Sequence, residues 1–135
     1  MSSVMTIPLF VVLGLSFGST ALAQEARWKA LYKQVEALYQ QGKYGEAIPV
    51  AKEALEVAEQ TFGPDHPNVA TSLNWVALVY KKQGQYAKAG PLYKRALGIY
   101  EKALGPEHPH VATALNNLAG LYLSQGQYTP RPSPS

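Results

Sequence analysis

The 135-residue chain contains no cysteine, so no disulfide can staple it and its stability must come from packing. The same absence removes thiolate from the possible metal ligands and excludes a lipidated cysteine at a processing site. Charge is sparse, at 16% of residues, and the net value of +3 leaves little electrostatic footprint for nucleic acid. No glycine-rich run is present to cradle a phosphate, because each candidate glycine stands alone between helical patterns. The serines and threonines have no base placed near them in the pattern, and Asp65 and Glu107 are repeat equivalents of one another, so no catalytic grouping forms. What the chain does have is apolar residues, 47% of the total, in quantity sufficient for one small globular domain.

No charged side chain occurs before Glu25. The segment has an apolar core from Ile7 to Leu15 and small residues at Ala21 and Ala23, the pattern of a secretory leader cut after Ala23. No Lys or Arg follows Met1, so the amino terminus alone supplies the positive charge. Pro8, Gly14 and Gly18 break the run well short of the ~20 apolar residues a spanning helix needs. The expected mature chain is Gln24 to Ser135, periplasmic or secreted, with no membrane association once the leader (1–23) is removed.

Gly42, Gly84 and Gly126 are spaced by 42 residues, in "QQGKY", "KQGQY" and "SQGQY". Residues 63–86 and 105–128 align without a gap and are identical at 15 of 24 positions. Each unit carries two amphipathic patterns around its glycine. Val69, Leu73, Val76, Ala77 and Tyr80 recur at helical steps before Gly84, and Ala89, Leu92, Tyr93, Ala96, Leu97 and Tyr100 do so after it. Gly105 and Pro106 then stop the helix. The spacing predicts units at about 25–62, 63–104 and 105–128, together making five helices, the last from about Pro109 to Gln125. After Tyr128 the sequence turns to "TPRPSPS", an extended tail at 129–135.

Tyr80, the turn at Gly84 and Tyr86, then Ala89, Tyr93 and Ala96 resemble the tetratricopeptide repeat, and the 42-residue period with "GPDHPNVATSLN" resembles its kinesin-light-chain type, widespread in bacterial proteins. The resemblance covers about residues 25 to 128. It implies an all-α solenoid of helix hairpins, about two and a half repeats long, acting as a protein–protein interaction module and not as an enzyme. The first unit departs from the pattern: Tyr39 lies three residues before its glycine, whereas Tyr80 and Tyr122 lie four before theirs. That offset reads as a first helix one residue out of register, as in a terminal cap. The last unit lacks its second helix, so Leu115, Leu118, Leu121 and Tyr122 are expected to be uncovered. Two explanations stay open: a longer array cut short, or a face that seats a partner helix or a second copy of the chain.

"GPDHPNVATSLN" (63–74) returns as "GPEHPHVATALN" (105–116), and the two copies contain His66, His108 and His110. Metal binding needs three or four ligands converging within about 2–2.5 Å of one ion. His66 and His108 belong to successive repeats, and Pro109 is expected to splay His108 from His110. The segment is better explained as punctuation, with Gly63 ending one helix, Asp65 or His66 capping the next and Pro67 in its first turn. No metal and no cofactor is expected.

The resemblance also implies that the first helix of each hairpin lines a concave groove that holds a peptide. In the second and third units the groove positions are Thr71, Asn74, Trp75, Leu78, Lys81 and Lys82, then Thr113, Asn116, Asn117, Gly120, Leu123 and Ser124. The offset first unit contributes Gln34, with Lys33, Ala37 and Gln41 nearby. Asn74 and Asn116, at equivalent positions, could pair with a peptide main chain, since a carboxamide both donates and accepts. Trp75 is either an anchor in the groove or packing between helices. Lys81 and Lys82 begin a stretch to Arg95 with no acid, which is either a solvated face or a preference for an acidic partner. The leader reading has a direct check: the intact mass of the exported chain is expected to correspond to Gln24 as first residue, and a mass retaining Met1 to Ala23 contradicts it.

Overall fold

The computed structural model describes residues 9–126. Five helices make up the chain among these residues: α1 (Leu9–Gln40), α2 (Tyr44–Phe62), α3 (Pro67–Lys82), α4 (Tyr86–Leu104) and α5 (Pro109–Ser124). Their faces follow from spacing. In α2 the buried residues are Ala47, Ala51, Ala54, Val57 and Ala58, a stripe at three- and four-residue steps. In α4 they are Ala89, Tyr93, Ala96, Ile99 and Tyr100. The central α3 is buried on two sides, from Val69 and Ala70 through Val79 and Tyr80.

Glycine sets where each helix stops. Gly84 has φ 78°, a left-handed conformation, and lets Gln85 N–H reach the Tyr80 carbonyl at 2.9 Å. Gly63 lies at φ 91°, ψ 157°, a region open in practice only to glycine, and Gly105 repeats it at 90° and 151°. α1 packs on α2, α2 on α3, α3 on α4 and α4 on α5, and α1 also touches α3. The fold is thus an all-α solenoid of hairpins, with α1, α3 and α5 in one layer and α2 and α4 in the other. Arg95 and Glu59, 3.4 Å apart, tie α4 to α2 at the surface.

Two apolar clusters form the core. One gathers Trp28, Val57, Leu73, Ile99, Tyr100 and Val111 near the linkers between hairpins. The other gathers Val35, Val76, Tyr80, Tyr93 and Leu121 toward the hairpin turns. Alanines 47, 51, 58, 70, 77, 89, 96 and 114 are fully buried between the larger residues.

Two expectations change. First, α1 is not shifted in register. Its turn repeats the geometry of the next: Gly42 N–H bonds Tyr39 and Lys43 N–H bonds Leu38, as Gly84 bonds Lys81 and Gln85 bonds Tyr80. Leu38 therefore holds the position of Tyr80, and Tyr39 that of Lys81. Second, Leu121 is 1% exposed, packed against α4 beside Gly90, so only Leu115 (51%), Leu118 and Tyr122 of the expected set are open to any degree. The helix α1 (Leu9–Gln40) includes the described part of the expected leader. The start of that leader and the 129–135 tail lie outside the described residues. No helix among the described residues is long and apolar enough to cross a membrane.

The contrast within α5 is measurable. Leu121→Ala is expected to destabilise the chain by about 2–5 kcal/mol in denaturant unfolding, as for other core leucines, and Leu115→Ala by less than about 0.5 kcal/mol.

Candidate functional site

The linkers resolve first. The His66 Nδ1 accepts from the Asn68 N–H at 3.0 Å, and the His108 Nδ1 accepts from the His110 N–H at 3.0 Å. Both histidines are N-caps, followed by proline in the first turn of α3 and α5. Of the two cap residues considered, His66 fills the role and Asp65 points to solvent as an exposed side chain. The His66 ring stacks on Phe62 at 4.8 Å. His108 and His110 are not splayed: their rings lie edge to face, 4.7 Å apart, because the cap draws the start of α5 back over His108. Among the described residues, no three His, Cys, Asp or Glu side chains converge as a metal would require.

A cavity of about 420 Å³ opens where the groove-side helices meet α4. α1 gives it Tyr32, α3 gives Thr71, Asn74, Trp75 and Leu78, α4 gives Tyr100, and α5 gives His110, Thr113 and Asn117. Helical spacing on α3 explains its share, since 71, 74, 75 and 78 fall on one face. No Lys, Arg, Asp or Glu is in the lining.

The floor is a polar network. Thr71 Oγ1 donates to the Pro67 carbonyl at 3.2 Å, so its one proton is committed and the Tyr100 hydroxyl, 2.7 Å away, donates to it. Burial pushes the Tyr100 phenol above its ordinary value. Tyr93, deeper in the core, is raised further, first by burial and then by Tyr39. The Asn74 Oδ1 is buried with no hydrogen-bond partner. An unsatisfied buried acceptor costs about 1–3 kcal/mol, so this carboxamide gains from a donor brought by a guest or by a shift of its own side chain.

The wall is aromatic. Trp75 meets Tyr32 at 5.9 Å and Tyr39 at 5.5 Å, both edge to face. Tyr32 contacts Trp28, which contacts Phe62, and the Trp28 Nε1–H donates to the buried Ser72 Oγ at 2.8 Å. Ser72 passes its own proton to the Asn68 carbonyl, which leaves the network fully paired. Trp75 therefore both packs between helices and faces the cavity.

Of the residues expected from sequence, Thr71, Asn74, Trp75, Leu78, Thr113 and Asn117 come together around this cavity. Gln34 is exposed on α1 and outside the lining, because the one-residue shift that selected it does not exist. Asn116 is exposed and also outside the lining, so the Asn74–Asn116 ladder does not span one cavity. Lys81 reaches across to α5, its Nζ over the Cα of Gly120, and the Lys82 Nζ stands 5.9 Å from the Tyr39 ring. Tyr32, Tyr100 and His110 were not expected. Counting back from Gly42 by the 42-residue period puts Tyr32 at the position of Asn74, so that signal was in the sequence.

The tetratricopeptide repeat model matches residues 29–74 and 69–130. Among solved structures, BtubC (BKLC) from P. vanneervenii superposes with a TM-score of 0.68 at 23% identity, over 73% of this chain and 39% of that one. Nearly identical TPR-like repeats of a Podosopora anserina kinesin light chain superpose with a TM-score of 0.67 at 26% identity, over 75% and 48%. The chain therefore spans less than half the length of these neighbours.

The raised tyrosines give a sign to alkaline stability. Both phenols ionise more readily in the unfolded chain, so their contribution is complete below about pH 10 and is lost as pH rises past it. The denaturation midpoint is expected to fall between about pH 9 and pH 11, and Tyr93→Phe with Tyr100→Phe is expected to flatten that fall.

Proposed function

The chain belongs to the tetratricopeptide repeat family, whose repeats are generally protein–protein interaction modules, and from that premise we propose that it holds an extended segment of a partner protein in the groove. The observation that carries this reading is the uncharged cavity with the unpartnered Asn74 Oδ1 at its floor and Trp75 in its wall. Carboxamides and hydroxyls on one face can pair with a peptide main chain whatever its side chains, and Leu78 and the rings offer apolar contact. The groups are set to hold and not to transfer: the Thr71 proton is already given to a carbonyl, and its hydroxyl accepts from Tyr100. Lys81 and Lys82 stand at the edge without a carboxylate partner among the described residues, which favours an acidic stretch in the segment bound. The uncharged N-terminal segment, with its apolar core and small residues before Gln24, supports a periplasmic or secreted location.

A second reading draws on one observation. Leu115 is 51% exposed, whereas its repeat equivalent Leu73 is fully buried. In that reading α5 recruits another subunit, and the mass by light scattering rises with concentration unless Leu118 is changed to Asp.

A photoreactive residue placed at Leu78 or Thr113 is expected to crosslink a partner in its native compartment, and one at Lys94 is not. Asn74→Ala with Asn117→Ala is expected to lower the yield about tenfold, the loss of one to two hydrogen bonds. Equal crosslinking from Lys94 contradicts the groove.

A further inference from the structure

The charged side chains are segregated along the solenoid. All three ion pairs among the described residues, Arg27–Glu53, Lys29–Glu25 and Arg95–Glu59, lie away from the hairpin turns. At the hairpin-turn end stand Lys43, Lys52, Lys81, Lys82 and Lys88, none of them paired with a carboxylate. Lys43 is in the first turn, Lys81 and Lys82 end α3, and Lys88 lies in the first turn of α4. Lys52 joins them because its Nζ is 5.8 Å from the Tyr80 ring, the same ring that Lys88 approaches at 5.5 Å. The nearby acids are Glu36, Glu46 and Glu56, the last one helical turn from Lys52 and in the same shallow cavity, and none pairs with a lysine. The opposite end exposes Asp65, Glu101 and Glu107 without ion-pair partners, with Lys102 beside Glu101 in the last turn of α4.

We propose that the hairpin-turn end is a docking face for an anionic lipid surface. The placement of the lysines selects a plane over a strand. Lys81 and Lys82 belong to the groove layer, Lys52 and Lys88 to the outer layer, and Lys43 to the turn joining the layers. An extended acidic peptide could follow one layer but not meet both, whereas a bilayer surface meets all five. The lysines are backed by rings, Lys52 and Lys88 on Tyr80 and Lys82 on Tyr39, which holds their ammonium groups at the surface with the alkyl stems laid down. Leu123, 59% exposed near the end of α5, adds an apolar contact at the same end. The acidic opposite end is repelled by the same surface, so the charge pattern fixes which way the solenoid stands. Lys81 and Lys82 also border the groove, whereas Lys43, Lys52 and Lys88 lie outside the cavity lining and belong to the docking face alone.

Sedimentation of the full chain with phosphatidylcholine vesicles, with and without phosphatidylglycerol, tests it. Binding is expected only to the anionic vesicles and is expected to be released by salt. Lys43→Gln, Lys52→Gln and Lys88→Gln together are expected to weaken partitioning roughly a hundredfold, about fivefold per lysine. These three residues lie outside the cavity lining, and a melting curve establishes that the triple variant is folded. Lys94→Gln with Lys102→Gln is expected to change nothing. No binding to anionic vesicles at low salt overturns the proposal. So does equal binding to phosphatidylcholine, an equal loss in the Lys94/Lys102 variant, or binding to polyglutamate with none to vesicles.

Discussion

Close approach of the helices across a seam of alanines is the constraint on which the other features rest. Ala47, Ala51, Ala58, Ala70, Ala77, Ala89 and Ala96 are wholly buried, and their small side chains suit closely packed helices. Larger residues would push the axes apart and move the two layers out of step. With the axes close, Tyr93 and Tyr100 of α4 can reach the groove-side layer, and the Tyr100 hydroxyl meets Thr71 on α3. The cavity is thus a product of the packing and not an addition to it.

The glycines make that packing repeat. Their fixed turn geometries return the chain at a constant register, which is why a sequence period of 42 becomes a spatial period. Much of the fold was legible for this reason. The helix bounds, the proline-started helices and the half unit all follow from glycine, proline and periodicity. The register of α1 was misread because an aromatic residue, Tyr39, was used as the marker in place of the glycine. Tyrosine serves in two environments here, buried at Tyr80 and half-buried against Trp75 at Tyr39, so its identity does not define its position.

The site was partly legible. α3 contributes four residues on one face, and these follow from helical spacing alone. Tyr100 did not, because it comes from the outer layer and reaches the cavity only through the inter-layer packing. His110 was set aside on the expectation that Pro109 turns it from His108. The cap instead folds that strand-like step back, leaving the ring 5.3 Å from Tyr100. The Trp28–Ser72 hydrogen bond joins residues 44 apart in sequence, and no local pattern announces it. It matters because it fixes the aromatic row behind Trp75.

Three regions of the molecule then divide the work in this account: an uncharged groove for a partner segment, a lysine end for an anionic surface, and an acidic end turned away. Amide and indole NMR shifts on adding the captured partner segment test occupancy of the groove most directly. The largest changes are expected on Thr71, Asn74, Thr113 and Asn117 and on the Trp75 indole, with the Trp28 indole little moved. Changes centred on the exposed faces of α2 and α4, with the Asn74 and Trp75 signals unmoved, would contradict it.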